Sequence, residues 1–283
     1  MSRLITNNHS RDIVGLKYIY PVLSRRAGGL SIGVNFNTNN ACNWRCIYCQ
    51  VPDLTVGSAP KMDFQLLEDE LRFFLAIVLH GDFYQQFQVE ENQRIIKDIA
   101  ISGNGEPTSL KAFAKAVEII GRVATEFGVF PNSHYVLITN GSLIHQPKVQ
   151  AGLKVLKAYG GEVWFKLDSA TNEGQTLINN ARQSCQSHVE NLLLAAKNCP
   201  TKLQICLVDY ERNGLSEKEK LAFLKLLTTI KTADVSLQQV MLYTIARPSL
   251  QPEASRLAPL SIEVLNAFAN DIKLLGFDVS VSV

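Results

Sequence analysis

The chain has 283 residues, of which 46% are hydrophobic and 19% are charged, and its formal net charge is +2. This length and composition indicate an ordinary globular protein with a sizeable apolar core, in one large domain or two small ones. Because the sequence starts with polar residues and has no long apolar run, we expect no signal peptide and no membrane helix. The weak positive charge is compatible with a nucleic-acid partner but does not require one. We therefore expect a cytoplasmic protein without a membrane partner, in a reducing compartment where stable disulfides are rare.

Stretches with a strand pattern alternate along the chain with stretches in which apolar residues recur at helical spacing. The predicted strands are 29–37, 95–102, 134–140, 162–168, 202–210, 237–245 and 277–283. The predicted helices are 64–81, 110–128, 147–160, 187–198, 216–231 and 261–276, and Asp63 is a suitable N-cap for the first. This alternation indicates βαβ units and a parallel sheet that is buried on both faces.

The six βα units are fewer than the eight of a closed barrel, so a partly open barrel or a doubly wound sheet would fit the pattern. We assign residues 29–283 to this single domain and residues 1–28 to an N-terminal extension. Both architectures place chemistry at the carboxyl ends of the strands. Polar and glycine-containing segments follow five of the predicted strands, so we expect them to form one site.

Three cysteines, Cys42, Cys46 and Cys49, follow the first predicted strand with CxxxCxxC spacing. A closed zinc site uses four ligands, commonly from two CxxC pairs, so zinc would need a distant histidine or a partner chain here. A 4Fe–4S cluster takes one thiolate per iron, and three cysteines would leave one iron open. Three unrelated buried thiols are the remaining alternative. The spacing favours the cluster.

The cysteine triplet, with Tyr48 before its last cysteine and a βα series around it, resembles the radical S-adenosylmethionine superfamily. The resemblance spans about residues 20–248 and implies an α/β fold, a partial (β/α)6 TIM-like barrel of parallel strands. It implies that Cys42, Cys46 and Cys49 bind one 4Fe–4S cluster whose open iron is chelated by S-adenosylmethionine. Reductive cleavage of that molecule would yield a 5′-deoxyadenosyl radical that abstracts hydrogen from a substrate. The electron would come from an external flavodoxin- or ferredoxin-like donor.

Two segments of the resemblance supply the first candidate cofactor contacts. Tyr48 matches the aromatic residue that packs beside the adenine. "GNGEP" resembles the glycine-rich segment that meets the methionine amino group, with Gly103, Asn104, Gly105 and Glu106 as candidates. Glycine has no Cβ, so its backbone can approach a ligand closely. The alternative is a tight turn in which the helix dipole favours the Glu106 carboxylate.

Two later strand ends carry further candidates. Asn140 lies in "TNGS", and Asn-Gly is first of all a turn signal. In "KLDSAT", Asp168 or Ser169 could accept hydrogen bonds from ribose hydroxyls, and Lys166 could hold a carboxylate. An aspartate that caps the next turn is the alternative for this segment.

The sixth predicted strand ends in "LYTIARP", which adds Tyr243 and Arg247 to the candidate cofactor contacts. Arginine can bind a carboxylate with two parallel hydrogen bonds. An arginine bound to neighbouring loop carbonyls is the alternative.

A narrower resemblance rests on "PVLSRRAGGLSIGVNF", "SGNGEPT" and the "T-x-x-R-P" of the sixth strand. These segments are similar to an iron–sulfur oxidoreductase group near the wyosine-forming tRNA enzymes. Those enzymes carry a second, N-terminal set of cluster cysteines, whereas no cysteine precedes Cys42 here, which argues against pyruvate-condensing chemistry. Ser24, Arg25 and Arg26 are candidate contacts of this segment.

The sequence thus predicts a radical enzyme whose substrate belongs to one of three classes. They are a tRNA base, a small metabolite and a protein glycine, and the narrower resemblance favours tRNA modification. The alternative is a protein without enzymatic activity, a zinc- or cluster-binding sensor or assembly factor.

Overall fold

The computed structural model describes residues 14–24, 28–233 and 235–283, so the candidates Arg25 and Arg26 lie outside the described residues. The strands are β1 (Ile19–Ser24), β2 (Gly29–Val34), β3 (Ala41–Cys42), β4 (Thr55–Val56), β5 (Ile96–Ile101), β6 (His134–Thr139), β7 (Glu162–Lys166), β8 (Thr201–Cys206), β9 (Val208–Tyr210), β10 (Val240–Tyr243), β11 (Leu257–Pro259) and β12 (Val279–Ser282). The α-helices are α1 (Phe64–His80), α2 (Phe83–Gln86), α3 (Phe113–Glu126), α4 (Pro147–Ala158), α5 (Asn172–Asn179), α6 (Cys185–Asn198), α7 (Glu217–Thr232) and α8 (Ile262–Leu274).

One curled, eight-stranded sheet organises the molecule, in the order β1-β2-β5-β6-β7-β8-β10-β12. All neighbours in it are parallel except β1, which pairs antiparallel with β2. Helices follow the parallel strands in turn, which gives the βα series that the sequence predicts. The predicted α/β class and partial TIM-like barrel are therefore confirmed.

The sheet begins one strand earlier than the sequence predicts. β1 pairs with β2 along its whole length, from Ile19 opposite Val34 to Ser24 opposite Gly29. Only four residues separate the two strands, too few for the crossover that parallel pairing requires. The strand lies within residues 1–28, for which the sequence predicts an N-terminal extension. It was missed because no helical segment precedes Gly29 to mark another βα unit.

Two elements near the other edge also differ from the prediction. The single strand predicted over 202–210 is divided, because β8 stays in the barrel while β9 pairs antiparallel with β11 in a separate two-stranded sheet. Helix α5 is additional, and its buried residues are Gln175 and Asn179. A buried face made of amides lacks the apolar stripe by which a helix is recognised in a sequence.

The core lies between the sheet and the helices that cover it. Strand β5 is buried at five of its six positions, and α3 buries eight of its residues with an apolar face towards the sheet. The parallel strands follow one another in one direction across the sheet, so their right-handed crossover helices cover its outer face, while the curl of the sheet encloses its inner face. None of the helices in the described ranges has the length and hydropathy needed to cross a bilayer.

Candidate functional site

A cavity of about 190 Å³ opens at the carboxyl ends of β5, β6 and β7. Its lining includes Cys42, Cys46, Cys49, Tyr48, Gly103, Asn104, Gly105, Glu106, Thr139, Asn140 and Lys166. The structure thus brings the cysteine triplet together with residues 103–107, which we name the glycine loop, and with the segment after β6. This is the edge of the sheet at which the sequence predicts a site.

The donor set of this cavity fits an iron–sulfur cluster. All three cysteines are half-buried, and burial raises the pKa of the Cys42 and Cys46 thiols to about 12. Such thiols stay protonated until a cation stabilises the thiolate, so metal binding would release protons. Within the described ranges, no group of three or more His, Cys, Asp or Glu side chains is close enough to hold one metal ion. In a 4Fe–4S cluster each thiolate binds a different iron.

The glycine loop packs against residues 35–41, which lead into residues 42–51, the segment that we name the cysteine loop. The two glycines of the glycine loop allow this packing. A Cβ atom on Gly103 would lie 2.2 Å from Asn35 Oδ1, and one on Gly105 would lie 2.0 Å from the Ala41 carbonyl oxygen. Asn35 Oδ1 also accepts a hydrogen bond from the Asn104 backbone N–H at 3.0 Å. The close approach that the sequence predicts is therefore made to another loop of the protein. Contact of these glycines with a cofactor stays a prediction.

Asparagines on both sides of Cys42, the first cysteine, connect the loops around the cavity, and they were missed as site residues in the sequence. Asn40 Oδ1 accepts a hydrogen bond from Asn104 Nδ2 at 2.6 Å, and Asn43 Oδ1 accepts one from Asn140 Nδ2 at 2.9 Å. An amide both donates and accepts, so it suits such bridges. Five asparagines within residues 35–43 are the signal that could have identified them.

Glu106 joins the loop after β5 to the end of β6. Its carboxylate is 2% exposed and accepts hydrogen bonds from Thr108 N at 3.0 Å, Thr108 Oγ1 at 2.5 Å and Thr139 Oγ1 at 2.6 Å. Its other oxygen accepts from Asn140 N at 2.7 Å. Burial raises the pKa of this carboxyl group above its usual value. Both oxygens are thus used within the protein, and they fix one wall of the cavity.

Asp168 and Ser169 lie inside the protein beside the cavity. Asp168 accepts hydrogen bonds from the Tyr48 hydroxyl group, from Asn179 Nδ2 at 2.8 Å and from Cys206 N at 2.9 Å. Ser169 is 1% exposed and accepts from the backbone N–H of Thr171. These contacts use lone pairs that a ribose hydroxyl would need. Ribose binding by either residue stays a prediction.

Lys166 places a positive charge at the cavity wall. Its Nζ atom donates to the Tyr243 hydroxyl at 2.5 Å and lies 3.5 Å from Asp168 Oδ1. The same atom lies 5.1 Å from the ring centroids of Tyr48 and Tyr243. Burial opposes the charge, but Asp168 and Tyr243 outweigh it and raise the pKa of Lys166 above its usual value. The side chain is therefore an ammonium group at neutral pH.

Residues 247–253, which we name the clamp segment, hold the cysteine loop from the side of β10. Their hydrogen-bonding groups are the Arg247 carbonyl, Ser249 Oγ, Leu250 N, Gln251 Nε2 and the Glu253 carboxylate. Glu253 binds Arg45 of the cysteine loop through two contacts of 2.8 Å. The predicted contact Arg247 thus lies beside the loop, with its carbonyl accepting from Gln50 Nε2. The remaining clamp residues were missed.

We expect Glu253→Gln to loosen the cysteine loop. Charge neutralisation weakens the two-contact pair with Arg45 and should lower the free energy of unfolding by about 1 kcal/mol. After cluster loading, iron loss to a chelator should become a few-fold faster. Glu217→Gln, which removes the charge of a pair with Lys220 on the surface of α7, is the matched control and should leave iron loss unchanged. Equal rates in all three proteins would contradict this role of the clamp segment.

His188 contacts both the cysteine loop and the segment after β6. Its Nε2 atom donates to the Asn140 carbonyl at 2.7 Å, and its Nδ1 atom accepts from Gln175 Nε2 at 3.2 Å. Its ring packs edge-on against Trp44 and is tilted against Phe165, with centroid distances of 5.1 and 4.9 Å. Burial lowers the pKa of His188 to about 4. The folded protein therefore holds this histidine neutral.

His188 should make the stability of the fold depend on pH below neutrality. The pKa is about 6.5 in an unfolded chain and about 4 in the folded one, so the unfolded chain binds more protons between these values. Its contribution is complete above pH 6.5, and about 3 kcal/mol is lost as the pH falls to 4. In urea unfolding, the stability gap between wild type and His188→Gln should shrink from pH 7 to pH 4.5. A constant gap would contradict the assignment.

Two comparisons of sequence connect the chain to known proteins. The family model described as the Radical SAM superfamily matches residues 36–214. A protein named GTPase Obg, from Brachyspira hyodysenteriae, is 28% identical over 155 residues, which cover 54% of this chain. The matched part is only 20% of that relative's length, so its name describes a much longer protein.

The fold is similar to solved structures of radical SAM proteins. TYW1 with a lysine–pyruvate adduct bound matches with a TM-score of 0.56 at 16% identity, over 86% of this chain and 73% of that chain. A radical SAM methyltransferase from Sphaerobacter thermophilus matches with a TM-score of 0.59 at 14% identity, over 93% of this chain and 68% of that one. Because the family model covers more than half of the chain and includes Cys42, Cys46 and Cys49, this protein belongs to the radical S-adenosylmethionine superfamily.

Proposed function

We propose that this chain is a radical enzyme in which Cys42, Cys46 and Cys49 hold one 4Fe–4S cluster and S-adenosylmethionine binds at the iron without a cysteine ligand. The superfamily in general uses this cluster and this cofactor. When bound, the cluster supplies the electron that cleaves the sulfonium to give a 5′-deoxyadenosyl radical. The observation that carries the proposal is the meeting of three cysteine thiols and the glycine loop at one cavity.

The protein's own residues would hold this arrangement in place before any cofactor binds. The clamp segment and the asparagines of residues 35–43 fix the cysteine loop on two sides. Glu106 and Asn140 keep the neighbouring loops together at the cavity wall. Loops fixed in this way would allow the thiols to bind a cluster without reorganisation, which is the benefit of a preorganised site.

Lys166 and Tyr48 are the residues that we propose for cofactor recognition at the inner end of the cavity. The Lys166 ammonium could pair with the carboxylate of S-adenosylmethionine or of a substrate. The Tyr48 hydroxyl is held by Asp168, so its ring has a fixed orientation against which an adenine could pack. Tyr243, bonded to Lys166, would orient the ammonium group rather than contact the adenine.

A tRNA base is the substrate class that we propose to test first. The fold similarity to TYW1 and the sequence resemblance to the wyosine-forming tRNA enzymes support it. A small metabolite and a protein glycine are the other outcomes of that test. We also propose that the reducing electron comes from a flavodoxin- or ferredoxin-like protein.

The proposed function is tested by anaerobic reconstitution with iron and sulfide. We expect about four irons per chain, visible charge-transfer absorption, and 5′-deoxyadenosine after addition of dithionite and S-adenosylmethionine. Zinc alone in the metal analysis, or a loaded cluster that produces no 5′-deoxyadenosine, would overturn the proposal. Nucleoside analysis of added tRNA then tests the substrate class, and tRNA binding that weakens steeply with salt would support it.

A further inference from the structure

The carboxyl end of α5 lies along the middle of the cysteine loop. The Ile178 carbonyl accepts a hydrogen bond from the Ile47 backbone N–H at 2.8 Å. Two residues later, Asn180 Nδ2 donates to the Arg45 carbonyl at 2.7 Å. The two segments therefore run in opposite directions, with the intervening residue of α5 opposite the middle cysteine.

That intervening residue, Asn179, donates directly to the sulfur of Cys46. Its Nδ2 atom lies 3.2 Å from Cys46 Sγ and 2.8 Å from Asp168 Oδ2, while its side chain is 1% exposed. Its Oδ1 atom is buried without a hydrogen-bond partner. Turning the amide over would point this oxygen at two acceptors, so the sulfur and the carboxylate together fix its orientation. The amide nitrogen thus donates to a carboxylate and to a sulfur that would become a thiolate on cluster binding.

A donor of this kind changes the reduction potential of a cluster. Hydrogen bonds to the ligating sulfurs are among the factors that set the potential of an iron–sulfur cluster. Reduction adds negative charge to the cluster and its thiolates, so an N–H donor stabilises the reduced form more than the oxidised form. We propose that Asn179 is a positioning residue that raises the reduction potential of the cluster through its hydrogen bond to Cys46. This inference rests on the function proposed above.

A purely structural role would not require Asn179. Asp168 already accepts hydrogen bonds from the Tyr48 hydroxyl and from Cys206 N. The end of α5 is likewise tied to the cysteine loop by the hydrogen bonds of Ile178 and Asn180. The hydrogen bond to the Cys46 sulfur, in contrast, is made by Asn179 and by no other residue of α5.

The experiment compares reconstituted wild type with Asn179→Leu and with Asn180→Gly. Asn180 has φ = 50° and ψ = 35°, a conformation that glycine adopts readily, so the control removes an amide from the same loop but leaves the sulfur contact. The potential is read from the electron paramagnetic resonance signal of the reduced cluster during a redox titration without S-adenosylmethionine. We expect the one-electron reduction constant of Asn179→Leu to fall about tenfold, a shift of about 59 mV to more negative potential. Asn180→Gly should match wild type.

Several outcomes decide against the inference. Equal potentials in wild type and Asn179→Leu would overturn it. If Asn179→Leu does not load a cluster, Asn179→Ala, which removes the same donor with a smaller side chain, should show a negative shift of similar size. Failure of both variants to load iron, with a loaded Asn180→Gly, would make Asn179 a requirement for assembly and overturn the tuning role. A wild type that binds no cluster would instead overturn the proposed function, and this inference with it.

Discussion

Cys46→Ala should abolish cluster assembly. Iron content is expected to fall from about four atoms per chain to less than about one, because two thiolates would leave two irons without a protein ligand. Without the cluster, 5′-deoxyadenosine should not form above background. Iron and sulfide assays, the visible spectrum and chromatography of the products measure these effects.

The matched control for this prediction is Cys185→Ala. Cys185 is a half-buried free thiol at the start of α6 and does not belong to the cavity lining given above. Its variant should load iron and form 5′-deoxyadenosine as wild type does. A Cys46→Ala protein that retains the full iron content would show that the cluster binds elsewhere.

Glu106→Ala should cause the largest loss of stability among single substitutions at the cavity wall. It would leave the donors of Thr108, Thr139 and Asn140 buried without their acceptor, and we expect a loss of about 3 kcal/mol in the free energy of unfolding. Glu106→Gln keeps one acceptor oxygen and should lose less. Urea unfolding of the cluster-free protein at pH 7 measures both losses.

The control for this effect is Glu190→Ala, which removes an exposed carboxylate from α6. Its midpoint in urea should stay close to that of wild type. If Glu106→Ala were as stable as Glu190→Ala, the four hydrogen bonds to Glu106 would not hold the loops together. The role of Glu106 in shaping the cavity would then be wrong.

Much of the fold was predictable because its signals are local. Strands such as β10 are continuous apolar runs, and helices such as α3 repeat their apolar residues at helical spacing, so the parallel α/β barrel follows from periodicity. The edge strand β1 and helix α5 were missed for the opposite reason. β1 belongs to no βα unit, and α5 buries the amides of Gln175 and Asn179 in place of an apolar stripe.

The site was predictable where its residues are neighbours in sequence, as in the cysteine triplet. Contacts between distant segments were not, because nothing in residues 247–253 alone indicates that Ser249 bonds the Ile47 carbonyl 202 positions away. The sequence also identified Asp168 as a polar group at a strand end without revealing that Tyr48 and Asn179 both donate to its Oδ2 atom. Side-chain type marks a candidate, whereas the partners decide what it does.

The central claim is that three cysteines leave one iron of a bound cluster open to S-adenosylmethionine. The most direct test is the electron paramagnetic resonance spectrum of the dithionite-reduced, reconstituted protein, recorded with and without S-adenosylmethionine. A changed spectrum on addition of S-adenosylmethionine is the predicted result, because a new ligand on an iron alters its electronic environment. Identical spectra from a protein that holds about four irons per chain would contradict the claim.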